Sequence, residues 1–185
     1  ADGNTLIFTA CQTLDGQWGE NRTGVGSCDL FYSLKAGNDW GQPENMGNTI
    51  NSGAWESQPS YGADGKTMYF VRGTRTARGM KDQDIYFSVL RDNGSWTKPE
   101  KVRGLVNTDF DEESVMIHPD GNTLYFSSNG HPGMGGMDIY LSRREVDGTW
   151  GKPLNLGYPI NTSQDENSFQ VTADGEYALF ASDRA

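Results

Sequence analysis

The chain is built from an internal repeat of about 55 residues. An Asp-Gly pair that precedes an apolar run occurs four times, with spacings of 62, 56 and 54 residues. The four pairs begin at Asp2, Asp64, Asp120 and Asp174. A period in this range indicates supersecondary units that each need neighbours to bury their apolar faces. The repeat therefore limits the chain to a stacked architecture.

Further markers recur in a fixed order within each unit. An Asp opens a short apolar segment, a Trp-x-x-Pro motif follows, and an Asn and then a Glu complete the set. The distance from Trp to Glu is 16 residues in all three copies, so the period varies mainly between the Asp-Gly turn and the Asp. The markers are Asp29, Asp84 and Asp138; Trp40, Trp96 and Trp150; Asn51, Asn107 and Asn161; and Glu56, Glu112 and Glu166.

We predict four short antiparallel strands in each unit. The first strands are predicted at 57–61, 114–117 and 168–171, and the second at 67–71, 123–127 and 177–181. Asp-Gly turns join them, because glycine accepts the positive φ that tight hairpins require. The third strand begins at the marker Asp, and the fourth is predicted at Trp-x-x-Pro, where Pro99 and Pro153 indicate a sheet edge. No stretch of ten or more residues has a helical apolar period.

These features predict an all-β fold, a β-propeller whose blades are four-stranded antiparallel sheets of about 55 residues. The predicted units are 1–55, 56–111, 112–165 and a truncated 166–185. About 3.4 blades are therefore present, whereas a closed propeller has roughly four to eight. We expect 1–185 to be a single partial propeller from a longer protein; the alternative is a complete chain that closes by association.

The run from Glu112 to Arg143 contains Pro-Asp-Gly-Asn-Thr-Leu-Tyr-Phe-Ser-Ser-Asn-Gly and Gly-Gly-Met-Asp-Ile-Tyr. It resembles the WD40-like (PD40) repeat of periplasmic TolB-type propellers, and the pattern recurs in three copies over essentially the whole chain. The chain is similar in particular to the propeller segment of Bacteroidota OmpA-family envelope proteins, including a periplasmic component of type IX secretion. The resemblance implies an outer-membrane-associated periplasmic location, envelope-protein partners, and peptidoglycan contact only through domains outside this segment.

Charge and hydropathy exclude several classes of function. The chain has 15 basic and 25 acidic residues, and its net charge of −10 argues against binding to nucleic acid or to anionic lipid. The longest apolar run, about 177–181, is far below the ~18 residues of a membrane span. We therefore predict no nucleic-acid partner and no direct membrane insertion of this segment.

The two cysteines, Cys11 and Cys28, flank the extra residues of the first unit. Their place at the base of a hairpin between paired strands predicts a disulfide. The alternatives are two free buried thiols and a metal site, for which no histidine is nearby. A disulfide implies an oxidising compartment, which together with the resemblance indicates the periplasm.

One face of the predicted disc, called here the loop face, carries the connections between second and third strands and between units. It would contain 11–28, 72–83, 129–137 and the acidic linker 109–113. Because loops position function on rigid scaffolds, partner contacts are predicted there. The candidate contacts are Arg72, Arg75, Arg78, Lys81, Asp109, Asp111, Glu113 and His131. The alternative is a solvated loop that exchanges ions with the acidic linker.

The repeated carboxylates suggest acid/base chemistry or a calcium site, but a catalytic group is needed only once. An architectural role as acceptors for backbone N–H groups is therefore favoured, and we predict no catalytic residue, no metal and no cofactor. His118 and His131 fall on opposite faces. The glycine-rich 130–136 precedes a strand and not a helix, which favours a connector over a phosphate loop.

Asp147-Gly148-Thr149-Trp150 partly resembles the Asp-box of sialidase propellers, but its Trp recurs in every unit and is interpreted as a blade-packing residue. The sequence therefore favours a non-enzymatic protein-binding or scaffolding propeller. The alternative is a glycan-binding or glycan-cleaving propeller domain.

Overall fold

A computed structural model describes residues 3–19 and 22–184, which form fourteen β-strands and no helix. Asp2 of the first predicted turn and residues 20 and 21 of the first loop lie outside the described residues. Within the described ranges there is no helix long and apolar enough to cross a membrane. The strands are β1 (Thr5–Cys11), β2 (Cys28–Ala36), β3 (Asp39–Trp40), β4 (Glu44–Asn45), β5 (Trp55–Tyr61), β6 (Thr67–Thr76), β7 (Gly79–Val89), β8 (Glu100–Lys101), β9 (Glu112–Ile117), β10 (Thr123–Ser128), β11 (Asp138–Arg143), β12 (Leu154–Asn155), β13 (Glu166–Val171) and β14 (Ala178–Ser182).

The strands group into successive antiparallel blades. We call them blade 1 (β1–β4), blade 2 (β5–β8), blade 3 (β9–β12) and blade 4 (β13–β14). In blades 2 and 3 the order across the sheet follows the order along the chain. A single parallel pair, Cys28 with Trp55, joins the sheets of blades 1 and 2. This arrangement confirms the predicted all-β propeller fold.

The blades stack face to face. The first strand of a blade packs on the blade before it, so that β5 contacts β1 and β2, β9 contacts β5 to β7, and β13 contacts β9 to β11. The buried apolar side chains therefore lie between blades as well as within them. The larger cluster joins blades 2 and 3 and consists of Tyr69, Val71, Ile85, Val102, Val106, Val115, Ile117, Leu124, Phe126, Tyr140 and Trp150.

The marker tryptophans differ in burial. Trp150 is only 4% exposed, and its ring lies 6.1 Å from that of Tyr69 in the preceding blade. Trp96 packs in the same way on the cluster of Leu30, Ile50, Met68 and Phe70. Trp40 is instead 46% exposed. The indoles of Trp96 and Trp150 therefore pack against the blades that precede their own.

The fourth strands differ from the prediction. Each is only two residues long and begins after the Pro of Trp-x-x-Pro, as in β8 and β12. Trp96 and Trp150 instead make isolated bridges to Leu90 and Arg144, each just past the end of a third strand, and Trp150 also bridges Gly104. Proline has no N–H for a ladder hydrogen bond, so the outermost strand starts only beyond it.

The segment 72–83 was predicted as a loop, but it is a β-hairpin, called here the blade-2 hairpin. Strands β6 and β7 continue to pair beyond an irregularity near Gly73, with Arg75 opposite Met80 and Thr76 opposite Gly79. Gly79 has a φ of 120°, which suits the tight turn. The Thr-x-Thr alternation of β6 favours extended backbone, so the second blade projects an ordered extension.

The predicted disulfide is present between Cys11 and Cys28, which are directly opposite in the β1–β2 ladder. The loop that it closes folds back on its own blade. The Trp18 indole packs on Phe31 at 5.9 Å and also covers Gly24, where a Cβ would lie within 2.1 Å of the indole.

Removing the disulfide is expected to lower the free energy of unfolding. For a separation of 17 residues, the chain-entropy model gives about 3 kcal/mol, because the open chain gains conformational freedom when unfolded. Urea titration of the protein with Cys11→Ser and Cys28→Ser should show this loss. Dithiothreitol should weaken the wild type by a similar amount and leave the double variant unchanged; equal stability of oxidised and reduced wild type would contradict the prediction.

Candidate functional site

The marker asparagines complete the third strands. Asn161 is fully buried; its Oδ1 accepts from the Ile139 N–H at 2.8 Å, and its Nδ2 donates to the Ile139 carbonyl at 2.8 Å. The same double contact joins Asn51 to Leu30 and Asn107 to Ile85. Each side-chain amide thus bonds to both the N–H and the carbonyl of one strand residue, as the backbone of a neighbouring strand would. The sequence marked this position but did not indicate its role.

The marker glutamates hold the turns that lead into the first strands. Glu112 accepts from the Thr108 N–H at 3.0 Å, the Thr108 hydroxyl at 2.8 Å and the Ser128 hydroxyl at 2.8 Å. Glu166 has the same arrangement with Thr162 and Ser182. Both side chains are completely buried. These carboxylates are therefore saturated by donors of their own blade.

Glu112 and Glu166 are expected to titrate on opposite sides of the ordinary glutamate range. Burial raises the pKa of Glu112, and the hydrogen bonds from Thr108 and Ser128 only oppose that effect. Burial also pushes the pKa of Glu166 upward, but bonds from Thr162 and Ser182 and the nearby Arg184 guanidinium outweigh it, so this pKa is lowered.

Carboxyl ¹³C titration should therefore place Glu112 above, and Glu166 below, a glutamate in an unfolded peptide. Because its folded pKa is lowered, Glu166 contributes stability above its unfolded pKa and loses it as pH falls through the folded value. Glu112 has the opposite sign, since its raised pKa favours the folded state as pH falls. Coincident midpoints would contradict the structural difference between the two blades.

The marker aspartates hold the loop-face connections. Asp29 accepts from the Val25 and Gly26 N–H groups at 2.7 and 3.0 Å. Asp138 accepts from the N–H groups of Met134 and Gly135 in the glycine-rich connector. Asp84 instead receives the Lys101 ammonium at 2.6 Å, and this hydrogen bond raises the pKa of Lys101.

Two acids of the linker join neighbouring blades. Asp111 Oδ1 accepts from the Gln83 N–H at 3.0 Å, and Glu113 accepts from the Gln83 side chain at 3.3 Å and the Asn167 side chain at 2.5 Å. Asp111 and Glu113, predicted as partner contacts, therefore bond within the chain. Asp109 stays exposed beside Phe110, whose side chain is 63% exposed.

Arg72 also differs from its predicted role as an exposed cation. Its Nε contacts Glu56 Oε1 at 2.8 Å, and its Nη2 donates to the Ile50 carbonyl at 2.7 Å. The guanidinium lies over the rings of Phe70 and Tyr86, at 5.6 and 4.9 Å. A buried carboxylate and two aromatic faces thus hold it against its own blade. We call a side chain in this position a lid residue.

The other blades supply lid residues from different sequence positions. His131 packs on Phe126 and Tyr140, with its Nε2 3.1 Å from the Val106 carbonyl. Arg184 lies over Phe180 and donates to the Ile160 carbonyl at 3.0 Å. Val106 and Ile160 correspond to Ile50 in the repeat. His131 is therefore half-buried as a lid residue, which the sequence did not foresee.

The two histidines lie at opposite ends of β10. His118 Nδ1 accepts from the Asp120 N–H at 3.2 Å beside the tight turn, whereas His131 is on the loop face. Within residues 3–19 and 22–184, no three His, Cys, Asp or Glu side chains come close enough together to hold a metal ion.

In the motif compared with an Asp-box, Asp147 accepts from the Thr149 N–H and hydroxyl and shapes its own turn.

Of the cations predicted as partner contacts, those that stay exposed belong to the blade-2 hairpin. Arg75 lies opposite Met80, and Lys81 lies opposite Thr74, so pairing places Arg75 and Lys81 on opposite faces of the hairpin. Lys81 contacts Asp82 at 3.2 Å. In the part of the chain that the structure describes, no ion pair joins this hairpin to the linker 109–113. Arg75 and Arg78, at and near the tip, remain open to a partner.

Comparisons with known proteins support the fold. No protein-family model matches the chain, and no curated protein matches it either. A Bacteroides fragilis protein described as a candidate 6-phosphogluconolactonase aligns over 97% of this chain and 46% of its own, with 12% identity and a TM-score of 0.51. An α-L-arabinofuranosidase from Lactobacillus brevis aligns over 98% of this chain and 62% of its own, with 14% identity and a TM-score of 0.50.

TolB from Acinetobacter baumannii aligns over 96% of this chain and 46% of its own, with 14% identity and a TM-score of 0.44. The chain therefore spans less than two thirds of each of these three proteins. At such identities the likeness concerns the fold alone.

Proposed function

We propose that this chain is a non-enzymatic protein-binding or scaffolding module. The observation that carries the proposal is the blade-2 hairpin, an ordered extension of the loop face that ends in the exposed Arg75 and Arg78. In a chain of net charge −10, these cations form a local contrast that favours an acidic partner surface.

The use of the other polar side chains supports a binding role over catalysis. The buried glutamates bond to side chains and N–H groups of their own blades, and the linker acids Asp111 and Glu113 join neighbouring blades. His131 packs as a lid residue. The marker glutamates recur and stabilise each blade in turn, whereas a catalytic constellation has to be assembled once.

We further propose an outer-membrane-associated place in a bacterial periplasm. The disulfide between Cys11 and Cys28 favours an oxidising compartment. The motifs between Glu112 and Arg143 resemble those of WD40-like propeller segments in Bacteroidota OmpA-family and type IX secretion proteins. In such an assembly the propeller would hold other envelope proteins, and domains outside this segment would contact peptidoglycan.

Site-specific photocrosslinking in the producing cells tests the hairpin directly. A benzophenone amino acid at Ala77, in the hairpin turn, should form a discrete protein adduct. The same probe at Asn93, in a tight turn on the other side of the blade, should not. Adding Arg75→Glu and Arg78→Glu should reduce the Ala77 adduct about tenfold, because both cations are reversed at the contact.

The control variant combines Arg91→Glu with Lys98→Glu, which changes the net charge by the same amount at positions outside the hairpin. It should leave the Ala77 adduct intact. Equal adducts at Ala77 and Asn93, or equal loss in both double variants, would refute the hairpin as the binding element. Turnover of a cell-wall or polysaccharide substrate that is lost with Asp109→Asn would refute the non-enzymatic role.

A further inference from the structure

Blade 3 contains a surface cavity of about 470 Å³ beside its lid residue. We call it the blade-3 cavity. Four apolar residues form much of its wall, Leu105, Pro132, Pro153 and Leu154. Leu105 and Leu154 are each 58% exposed, so apolar surface remains in contact with solvent at its mouth. A concave site of this size with mainly apolar walls is typical of ligand pockets.

The repeat supplies an internal comparison in blade 2. The corresponding cavity there is lined by Thr49, Lys98 and Pro99, and the Arg72 guanidinium also lines it. The counterparts of Leu105 and Leu154 are the polar Thr49 and Glu100. Blade 3 uses the smaller His131 as its lid and has leucines on the wall. The apolar character therefore belongs to one blade and is not a demand of the fold.

The blade-3 cavity combines neutral polar groups with a cation, Lys152. Lys152 lines it and makes no ion pair with the described residues. Among the described residues no Asp or Glu lines the cavity, so its charged side chain is a cation.

Asn155 forms part of the inner wall of the cavity. Its Oδ1 accepts from Asn161 Nδ2 at 2.7 Å, which fixes the orientation of the amide. Its Nδ2 is buried beside the Tyr140 hydroxyl, next to the Asp138 carboxylate. Lys152 is therefore the donor that is accessible to a ligand.

We propose that the blade-3 cavity binds the C-terminal residue of a partner polypeptide when that residue is apolar. The side chain would pack between Leu105 and Leu154, and the carboxylate would accept from the Lys152 ammonium. A C-terminal apolar residue carries an apolar body and an anion on one Cα atom, which matches the apolar walls and the cation here. Acidic side chains lack the apolar body, and internal residues lack the anion. This site is separate from the blade-2 hairpin and does not depend on it.

Fluorescence anisotropy with a labelled hexapeptide that ends in leucine tests the proposal. The free-acid peptide should bind the wild type, and its C-terminal amide should bind about tenfold more weakly, because a charge-assisted contact is lost. Lys152→Ala should weaken binding of the acid about tenfold and leave binding of the amide nearly unchanged. The matched control is Lys98→Ala, which removes the corresponding cation of blade 2 and should have no effect.

A variant of the walls completes the test. Leu105→Thr with Leu154→Glu gives blade 3 its blade-2 counterparts and should abolish binding. Thermal melts establish that each variant is folded.

Several outcomes would overturn the proposal. Equal affinity for acid and amide would exclude carboxylate recognition, and equal loss with Lys98→Ala would indicate non-specific attraction. Absence of binding to the folded wild type at millimolar peptide would exclude the site. If 4-methylpentanoate bound as tightly as the peptide with the same dependence on Lys152, the ligand would be a free acid and not a polypeptide. Intact hairpin crosslinks in the Lys152→Ala variant would leave the proposed function standing in any of these cases.

Discussion

Replacing Trp150 by alanine is expected to lower the free energy of unfolding by about 4 kcal/mol, as large-to-small changes of buried tryptophan do. The indole is 4% exposed and belongs to the apolar cluster that joins blades 2 and 3. Its removal would leave a cavity beside Tyr69 that rigid strands cannot fill. The loss therefore affects the contact between two blades and not only one sheet.

Trp40→Ala is the matched control, because it makes the same chemical change at the equivalent position of blade 1. Trp40 is 46% exposed, so we expect a loss of about 1 kcal/mol or less. Guanidinium titrations followed by circular dichroism should separate the two variants clearly. Similar losses for both would show that the motif acts within its own blade and would contradict the assignment to blade packing.

Asn161→Ala is the second change with a large expected effect, a loss of about 4 kcal/mol. The substitution leaves the N–H and carbonyl of Ile139 without their partner and removes a donor to Asn155. Each buried group left unsatisfied costs about 1–3 kcal/mol, and Asn161 is fully buried. The third strand of blade 3 should therefore loosen first.

Hydrogen exchange of the Ile139 amide measures this effect locally, and urea titration measures it globally. Asn48→Ala, on the exposed part of the corresponding blade-1 segment, should change stability by less than about 0.5 kcal/mol. If Asn161→Ala left the exchange rate of Ile139 unchanged, the amide would not be the partner that completes the strand.

The order of strands could be predicted from the sequence because the repeat places similar residues at similar intervals. The predicted first strand 114–117 lies within β9 and the predicted second strand 123–127 within β10. The buried Glu112 could be interpreted as architectural because a group that recurs in each unit serves each unit. Cys11 and Cys28 could be paired because the hairpin places them opposite each other.

Other features could not be predicted because they depend on contacts that the period does not encode. The Arg72 side chain is held against its own blade by the carbonyl of Ile50 and the ring of Tyr86, which it reaches only after folding. The blade-2 hairpin depends on continued pairing of β6 and β7 beyond the blade. Likewise, the interblade bonds of Asp111 require the position of Gln83 across the junction.

The lid residues have a consequence for exchanging loops between blades. A transplant of 129–137 into blade 2 would bring His131 along as a second lid while Arg72, which belongs to strand β6, stayed in place. Two side chains would then compete for the one carbonyl of Ile50. The unit that can be grafted is therefore a loop together with the end of its preceding strand. A graft cut at the loop boundary alone would place two lid side chains in the space of one.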